Sequence, residues 1–312
     1  MADQKYNERI LIDTTSCQEP GEAEHDPTQK RVSHKRGFWD FLKLIFSFGL
    51  KNSFKNVFYR PSRKQYRTPE DLKPVVTPHR FSSSDGLVLS GWMLHDTTDG
   101  ETSGTVIQFH GCCHNMTFDA HQVEWLTGWG FDVFMFDYRG YGESEGAPCR
   151  EGVHDDSLAA LRYLRSLDEV DSDRLFVLGQ SLGGCIGLSA LCDDELEGVR
   201  AIAVDGTFGS YRALVNSKML NTRLTYPLAS LIVDDELAPI ERVEKISPVP
   251  LAFFHGERDN VIPFKLGNQL YESAGEPKVF YPVADAKHMR TFTEFGDQTR
   301  PLLVEFFKSH LP

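Results

Sequence analysis

The chain has 312 residues and a mass of 35.3 kDa, and 40% of its residues are hydrophobic and 25% charged. This composition is typical of a globular protein with a full-sized core and excludes a disordered or collagen-like chain. The formal net charge of −12 argues against nucleic acid as a partner, because phosphate binding requires a basic surface. Six cysteines do not form a secreted disulfide framework, and the first residues show no secretory signal, so we expect a cytoplasmic protein.

The N-terminal region falls into two segments of different character. Residues 1–36 are polar and show no sustained period, which predicts a mobile tail. Residues 37–76 form a basic and aromatic segment with a connector. It opens with GFWDFLKLIFSFGLKNSFKNVFY, in which polar residues recur at three- and four-residue steps opposite an aromatic face. This pattern predicts an amphipathic helix over residues 38–58.

The predicted helix has two interpretations, packing on the domain or lying in a membrane interface. Its apolar runs are far shorter than the roughly 20 residues of a membrane span. The stretch from Lys30 to Arg67, however, contains eleven lysines and arginines and a single acidic residue, Asp40. A basic, aromatic helix suits the surface of an anionic leaflet, which favours peripheral docking of residues 37–67 on a membrane.

Residues 77–312 alternate short β-rich runs with longer helical patterns and are predicted to form the catalytic domain. Strands that are separated by helices of this length pair in parallel, in a sheet covered on both faces. The expected fold class is therefore α/β, with a mostly parallel central sheet. The predicted strands are HRFSS, LVLSGWML, TVIQF, FDVFMF, RLFVLG, VRAIAV, PLAFFHG and KVFYPV.

Ser181 lies in GQSLGG, where the predicted strand RLFVLG ends and a helical pattern begins. In a G-x-S-x-G turn the serine takes a strained conformation, and the flanking glycines let the strand and helix approach each other. The helix N-terminus favours a developing negative charge. Ser181 is thus a candidate nucleophile, and the Leu182 amide is a candidate donor to the oxyanion.

A serine nucleophile needs a histidine base and an orienting carboxylate, which should follow it in the order Ser, Asp, His. Asp259 follows the strand PLAFFHG, and His288 follows KVFYPV. The rival acids are Asp205 and Glu257, and the rival base is His310. We favour Asp259 and His288 because both follow strands at the end of an open α/β sheet where sites form.

The loop after TVIQF reads HGCCHN and should supply the second oxyanion donor, for which the Cys112 amide is the candidate. The same loop raises the alternative of a zinc site made of His110, Cys112, Cys113 and His114. Adjacent cysteines point in different directions and this spacing matches none of the usual zinc pairings. We therefore expect no metal and no organic cofactor.

Six stretches of the chain resemble, in the same order, the motifs of the α/β-hydrolase superfamily, and specifically of its Bem46-like branch of serine hydrolases. They are SSSDGLVLSGWML, FHGCCHN, FDYRGYGESEG, GQSLGG, HGERDNVIP and AKH. The resemblance covers about residues 77–310 and implies an α/β-hydrolase fold. It implies a triad of Ser181, Asp259 and His288, with an oxyanion hole formed by the amides of Cys112 and Leu182. Relatives commonly read HGNA where this chain has HGCC, and the segment between residues 205 and 248 is long enough only for a short lid.

These observations predict a serine esterase or thioesterase that acts through an acyl-enzyme, with a preference for lipid-like acyl substrates. Peptidase and acyltransferase activities are the alternatives within the enzyme class. A non-catalytic hydrolase-fold scaffold is the alternative outside it, although such proteins usually lose a member of the triad.

Overall fold

A computed structural model of the protein describes residues 58–219 and 225–312. The predicted tail over residues 1–36 lies outside this part of the chain, as does the predicted amphipathic helix apart from its last residue, Phe58. In the described ranges, no helix has the length and hydropathy needed to cross a bilayer.

The described residues form ten β-strands and seven α-helices. The strands are β1 (Arg60–Pro61), β2 (Val76–Ser82), β3 (Val88–Leu94), β4 (Thr105–Phe109), β5 (Cys113–His114), β6 (Asp132–Phe136), β7 (Leu175–Gln180), β8 (Val199–Asp205), β9 (Leu251–Gly256) and β10 (Lys278–Val283). The helices are α1 (Met116–Val123), α2 (Arg150–Arg165), α3 (Leu182–Leu191), α4 (Tyr211–Lys218), α5 (Tyr226–Ile232), α6 (Phe264–Ser273) and α7 (Gly296–Lys308).

Eight of these strands form one sheet in the order β10-β9-β8-β7-β4-β6-β3-β2. The pairs from β10 to β6 are all parallel, which confirms the predicted α/β class. Only β3 breaks the pattern, since it runs antiparallel to both β2 and β6. The short turn in FSSSDGLVL explains the antiparallel pair of β2 and β3, because a connection of so few residues can join only antiparallel strands.

Two hydrophobic cores cover the faces of the sheet. Alternate residues of β7 enter opposite cores: Leu175 and Val177 lie in one, and Phe176 and Leu178 lie in the other. The first core packs under α2, α3 and α6, and the second packs under α1 and α7. A central strand that is buried on both faces needs apolar residues on both, which is why LFVL shows no alternation.

Helix α3 lies unusually close to the strands beneath it. A Cβ atom at Gly183 would stand 2.1 Å from the carbonyl oxygen of Phe109 and 2.3 Å from that of His110. A Cβ atom at Gly179 would stand 2.6 Å from the Cα atom of Gly184. Both contacts are with backbone, so the predicted need for glycine on each side of Ser181 has a direct steric cause.

The connector before β2 packs on the body of the protein. Tyr59 is buried, and β1 pairs in parallel with β5 in the loop that follows β4. The aromatic ring of Phe58 lies 4.9 Å from that of Tyr211 at the start of α4. The chain therefore enters the described structure beside the segment that links β8 to β9.

That linking segment, residues 206–250, contains α4 and α5, which the sequence pattern did not predict. A hydrogen bond of 3.0 Å from Lys218 Nζ to the Asn260 carbonyl joins the end of α4 to the loop after β9. The hydroxyl of Thr225 donates to Asn216 Oδ1 at 2.6 Å, so the residue before α5 is joined to α4. These two short helices stand where the short lid was expected.

The close approach of α3 predicts that two glycine substitutions in that helix differ in how much stability they cost. Gly183→Ala places a methyl group against two carbonyl oxygens that cannot rotate away, and we expect a loss of about 3 kcal/mol of unfolding free energy. The control is Gly187→Ala, because a Cβ there meets only the Phe109 ring, at 3.0 Å. Better helix propensity should offset that milder contact to within about 1 kcal/mol. Urea denaturation of both variants measures the difference, and equal losses would contradict the steric explanation.

Candidate active site

Ser181 occupies a strained turn between β7 and α3, with φ 54° and ψ −124°. Its amide donates to the Asp205 carbonyl at 2.9 Å, and its carbonyl accepts from the Thr207 hydroxyl at 2.7 Å. These bonds hold a conformation that a non-glycine residue rarely adopts. The strain therefore supports the prediction of a nucleophile turn at this position.

His288 lies between Ser181 and Asp259. Its Nε2 atom is 2.9 Å from Ser181 Oγ, and its Nδ1 atom is 2.6 Å from Asp259 Oδ2. The other carboxylate oxygen, Oδ1, accepts the amides of Val261 and Ile262, both at 2.8 Å. The two amides fix the carboxylate, and the carboxylate fixes the imidazole ring. The structure thus brings the three predicted residues together in a continuous chain of hydrogen bonds.

The rival residues do not join this chain. Asp205 is buried nearby, but the Nδ1 atom of His288 is directed to Asp259 instead. Glu257 is exposed to solvent. His310 lies at the end of α7, where its Nδ1 atom is 2.7 Å from the Phe306 carbonyl.

The loop after β4 passes directly over Ser181. A Cβ atom at Gly111 would stand 3.6 Å from Ser181 Cβ, so the next amide, that of Cys112, belongs to the wall of the site. The Cys112 carbonyl accepts from the Arg60 amide and from the Tyr141 hydroxyl, both at 2.8 Å. The amide of Leu182 is the first of α3 and has no partner within the helix. The oxyanion role of these two amides stays a prediction.

Arg60 and Tyr141 hold this loop, and neither residue was expected from the sequence to do so. Tyr141 lies in FDYRGYGESEG, whose glycines indicate a turn but not the direction of a tyrosine hydroxyl. Arg60 belongs to the two-residue strand β1, which is too short to leave a periodic pattern. Neither contact has a signal that a single sequence could have supplied.

The two adjacent cysteines of the proposed zinc site lie together, with their Sγ atoms 3.2 Å apart, so the expectation that they point in different directions was wrong. The two histidines point to other neighbours. His110 is buried with its Nε2 atom 3.5 Å from Asp137 Oδ1, and burial lowers the pKa of His110 to about 4. His114 stacks on Phe118 with ring centroids 4.0 Å apart. Over residues 58–219 and 225–312, no group of three or more histidine, cysteine or acidic side chains has an arrangement that could hold a metal ion.

Comparisons with known proteins agree on one superfamily. The sequence model of the family described as "Serine aminopeptidase, S33" matches residues 100–225. The uncharacterized protein YfhR of Escherichia coli K12 is 34% identical over 289 residues, which cover 91% of this chain and 98% of YfhR. The bem46 protein of Schizosaccharomyces pombe is 25% identical over 230 residues, which cover 71% of this chain and 73% of bem46.

Similarity to a solved structure covers most of the described residues. The Pyrococcus furiosus esterase Pf2001 superposes with a TM-score of 0.66 at 22% identity, over 82% of this chain and 99% of that one. The chain belongs to the Bem46-like α/β-hydrolases. The family and the fold expected from the motifs are thereby confirmed, and this Bem46-like protein is a hydrolase.

Behind the site of this Bem46-like hydrolase lies a second carboxyl group. Asp205 ends β8 and is buried between β7 and β9. Burial raises the pKa of Asp205 to about 7. The nearby charge of Asp259 also raises this pKa, whereas Thr291 and His288 lower it. The folded protein therefore holds a proton on Asp205 under conditions in which an unfolded chain has released it.

The raised pKa of Asp205 predicts a pH-dependent stability. Because the folded pKa lies above the unfolded value near 3.9, the folded state keeps the proton longer, and stability is lost as the pH rises from about 4 to about 7. The contribution is at most about 1.4 kcal/mol per pH unit. In Asp205→Asn the slope should be smaller by this contribution, because the buried Asp119 and Asp137, whose pKa burial also raises, keep theirs. The exposed control Glu257→Gln should keep the full slope. Urea unfolding at several pH values measures the slope, and identical slopes in all three proteins would contradict the assignment.

Proposed function

We propose that this Bem46-like hydrolase cleaves carboxylic esters or thioesters through a covalent acyl-enzyme. The observation that carries the proposal is the hydrogen-bonded chain from Ser181 Oγ through His288 to Asp259, with distances of 2.9 Å and 2.6 Å. A serine hydroxyl is a weak nucleophile unless a base accepts its proton, and this geometry supplies the base and its orienting anion.

The reaction follows from these contacts. His288 Nε2 accepts the Ser181 proton as Oγ attacks the carbonyl carbon, and the amides of Cys112 and Leu182 stabilise the oxyanion. Asp259 stabilises the imidazolium, which then protonates the departing alcohol or thiol. His288 next takes a proton from a water molecule as the water oxygen attacks the acyl carbon. It then returns that proton to Ser181 Oγ as the bond between Oγ and the acyl carbon breaks, which releases the acid and restores Ser181 and His288. Every step uses side chains and amides of this chain, and none requires a cofactor.

The surroundings of the site favour lipid-like acyl substrates. Val261, two residues from Asp259, is 46% exposed, and on α5 the side chains of Leu228 and Leu231 are 47% and 71% exposed. The hydrogen bond from Lys218 to the Asn260 carbonyl brings α4, which packs on α5, against the loop that carries Val261. Exposed apolar side chains that cluster at one place on a surface often mark a binding region for an apolar ligand.

We also propose that residues 37–67 bring the hydrolase to an anionic membrane surface. The contact between Phe58 and Tyr211 supports this, because it sets the exit of the basic segment beside the lid helices. The esterase name of the Pyrococcus furiosus protein Pf2001 supports ester cleavage by analogy of fold.

A peptidase is the second candidate, since the matching family model is described as a serine aminopeptidase. The same triad cleaves amides when the leaving amine is protonated by His288. A panel of p-nitrophenyl esters, acyl thioesters and amino-acid p-nitroanilides separates the candidates. Preferential turnover of the anilides would replace the esterase proposal.

The nucleophile assignment predicts that Ser181→Ala abolishes covalent labelling by a fluorophosphonate and lowers ester turnover by at least about 10³-fold. The control is Ser189→Ala in the same helix, because Ser189 is also buried and its hydroxyl has no hydrogen-bond partner among the residues that the structure describes. That variant should label and turn over like the wild type. Peptide mapping of the adduct measures the site, and labelling of a serine other than Ser181 would contradict the assignment.

The lipid-substrate proposal predicts that Leu231→Ser lowers turnover of a long-chain lysolipid ester in anionic vesicles by about tenfold, the effect of removing one leucine from an apolar contact. Turnover of a short, soluble p-nitrophenyl ester should not change. Val75→Ser is the control, because Val75 is 73% exposed just before the edge strand β2. Equal rates for Leu231→Ser and Val75→Ser on the vesicle substrate would contradict the role of α5.

A further inference from the structure

Two cysteines stand side by side in the wall of the candidate site. The Sγ atoms of Cys112 and Cys113 are 3.2 Å apart, and both residues are half-buried in the loop after β4. The proposed hydrolysis uses the amide of Cys112 but neither thiol. This leaves a pair of adjacent thiols close to Ser181 without a function.

The backbone around the pair is held in place. The carbonyl of Cys112 is bound by the Arg60 amide and the Tyr141 hydroxyl, and Cys113 belongs to β5, which pairs with β1. The next residue, His114, has a φ of 66°. A disulfide requires the sulfurs to be about 2.05 Å apart, so the two atoms need to approach by only about 1 Å.

The charges around the pair favour a thiolate on one residue. The hydrogen bond from the Cys112 thiol lowers the pKa of Cys113, burial opposes this effect, and the positive charge of Arg60 adds to it. The same hydrogen bond, together with burial, raises the pKa of Cys112. Cys113 is therefore the nucleophilic sulfur, and Cys112 is the thiol that remains protonated beside it.

We propose that Cys112 and Cys113 are an oxidisable dithiol, which peroxides close into a disulfide between adjacent residues, and that this closure inactivates the site. The inactivation rests on the proposed function of Ser181, whereas the disulfide itself does not.

The chemistry balances with hydrogen peroxide as the oxidant. The Cys113 thiolate attacks one peroxide oxygen, the O–O bond breaks, and the protonated products are a sulfenic acid on Cys113 and one water. The Cys112 sulfur then attacks the sulfenic sulfur, the S–O bond breaks, and a second water leaves with the Cys112 proton. Two thiols are oxidised by two electrons, and the peroxide is reduced to two waters. A dithiol reductant reverses the reaction.

Closure would act on the oxyanion loop. A disulfide between neighbouring residues makes a small ring that includes the peptide bond from Cys112 to Cys113. The ring turns this peptide and pulls its carbonyl away from Arg60 and Tyr141. The Cys112 amide precedes that peptide directly, so its direction toward the oxyanion changes. Loss of a single oxyanion donor lowers the rate of acyl transfer by about a hundredfold.

The experiment compares the full chain before and after a short treatment with hydrogen peroxide, followed by alkylation of the remaining thiols. Mass spectrometry of the intact protein and of the peptide that contains both cysteines measures the loss of two hydrogen atoms. The rate of fluorophosphonate labelling at Ser181 measures the site. We expect the disulfide to form, the labelling rate to fall about a hundredfold, and dithiothreitol to restore both measurements.

Two variants give the comparison. Cys113→Ser cannot close the ring, so peroxide should leave its labelling rate at the value of its own reduced form. Cys149→Ser removes another half-buried free cysteine and should respond to peroxide like the wild type. If peroxide did not slow the labelling of Cys149→Ser, the inactivation would depend on the Cys149 thiol, and the proposal would be overturned.

The remaining outcomes separate the formation of the disulfide from its effect on the site. Oxidation to a sulfinic acid, or a disulfide to another cysteine, overturns the dithiol. A disulfide between Cys112 and Cys113 that leaves the labelling rate unchanged overturns the inactivation. If the reduced wild type does not label at all, the proposed function of Ser181 fails and the inactivation fails with it, while the mass measurement still decides whether the disulfide forms.

Discussion

The contact between helix α3 and the end of strand β4 is the constraint on which the rest of the site depends. Gly183 brings the helix against the carbonyl oxygens of Phe109 and His110, at a separation that no larger residue allows. That approach sets the first amide of α3 beside the loop that begins at Gly111. The strained backbone of Ser181 is a consequence, because the chain must reverse from strand to helix within one residue.

The other groups of the site reach Ser181 from strands that lie progressively further along the sheet. Asp259 follows β9 and His288 follows β10, and parallel pairing brings the ends of β7, β8, β9 and β10 to one edge. Because Asp259 is fixed by two backbone amides, the imidazole needs little reorganisation to accept a proton. The order of the site thus comes from backbone hydrogen bonds more than from contacts between side chains.

Much of this arrangement could be predicted from the sequence, because its signals are local. The runs TVIQF and KVFYPV match β4 and β10 residue for residue, since a strand buried on both faces leaves a mostly apolar run without alternation. Helix α4 was missed because YRALVNSK is short and mostly polar. The sequence could not exclude Asp205, because it follows a strand just as Asp259 does, and only the packing of β8 against its neighbours shows which carboxylate meets His288. The catalytic roles themselves stay predictions.

The segment between β8 and β9 has a different relation to the sheet than the loops that carry the triad. The described part of this segment, with helices α4 and α5, contributes no strand to the sheet. Side-chain hydrogen bonds, such as the one from Lys218 to the Asn260 carbonyl, attach these helices to the rest of the domain. Replacements on their outer faces leave the backbone pairing of β7, β9 and β10 untouched. Under the proposed function, substitutions on these helices would change the choice of substrate while the residues around Ser181 stay in place, so that specificity and catalysis could vary independently.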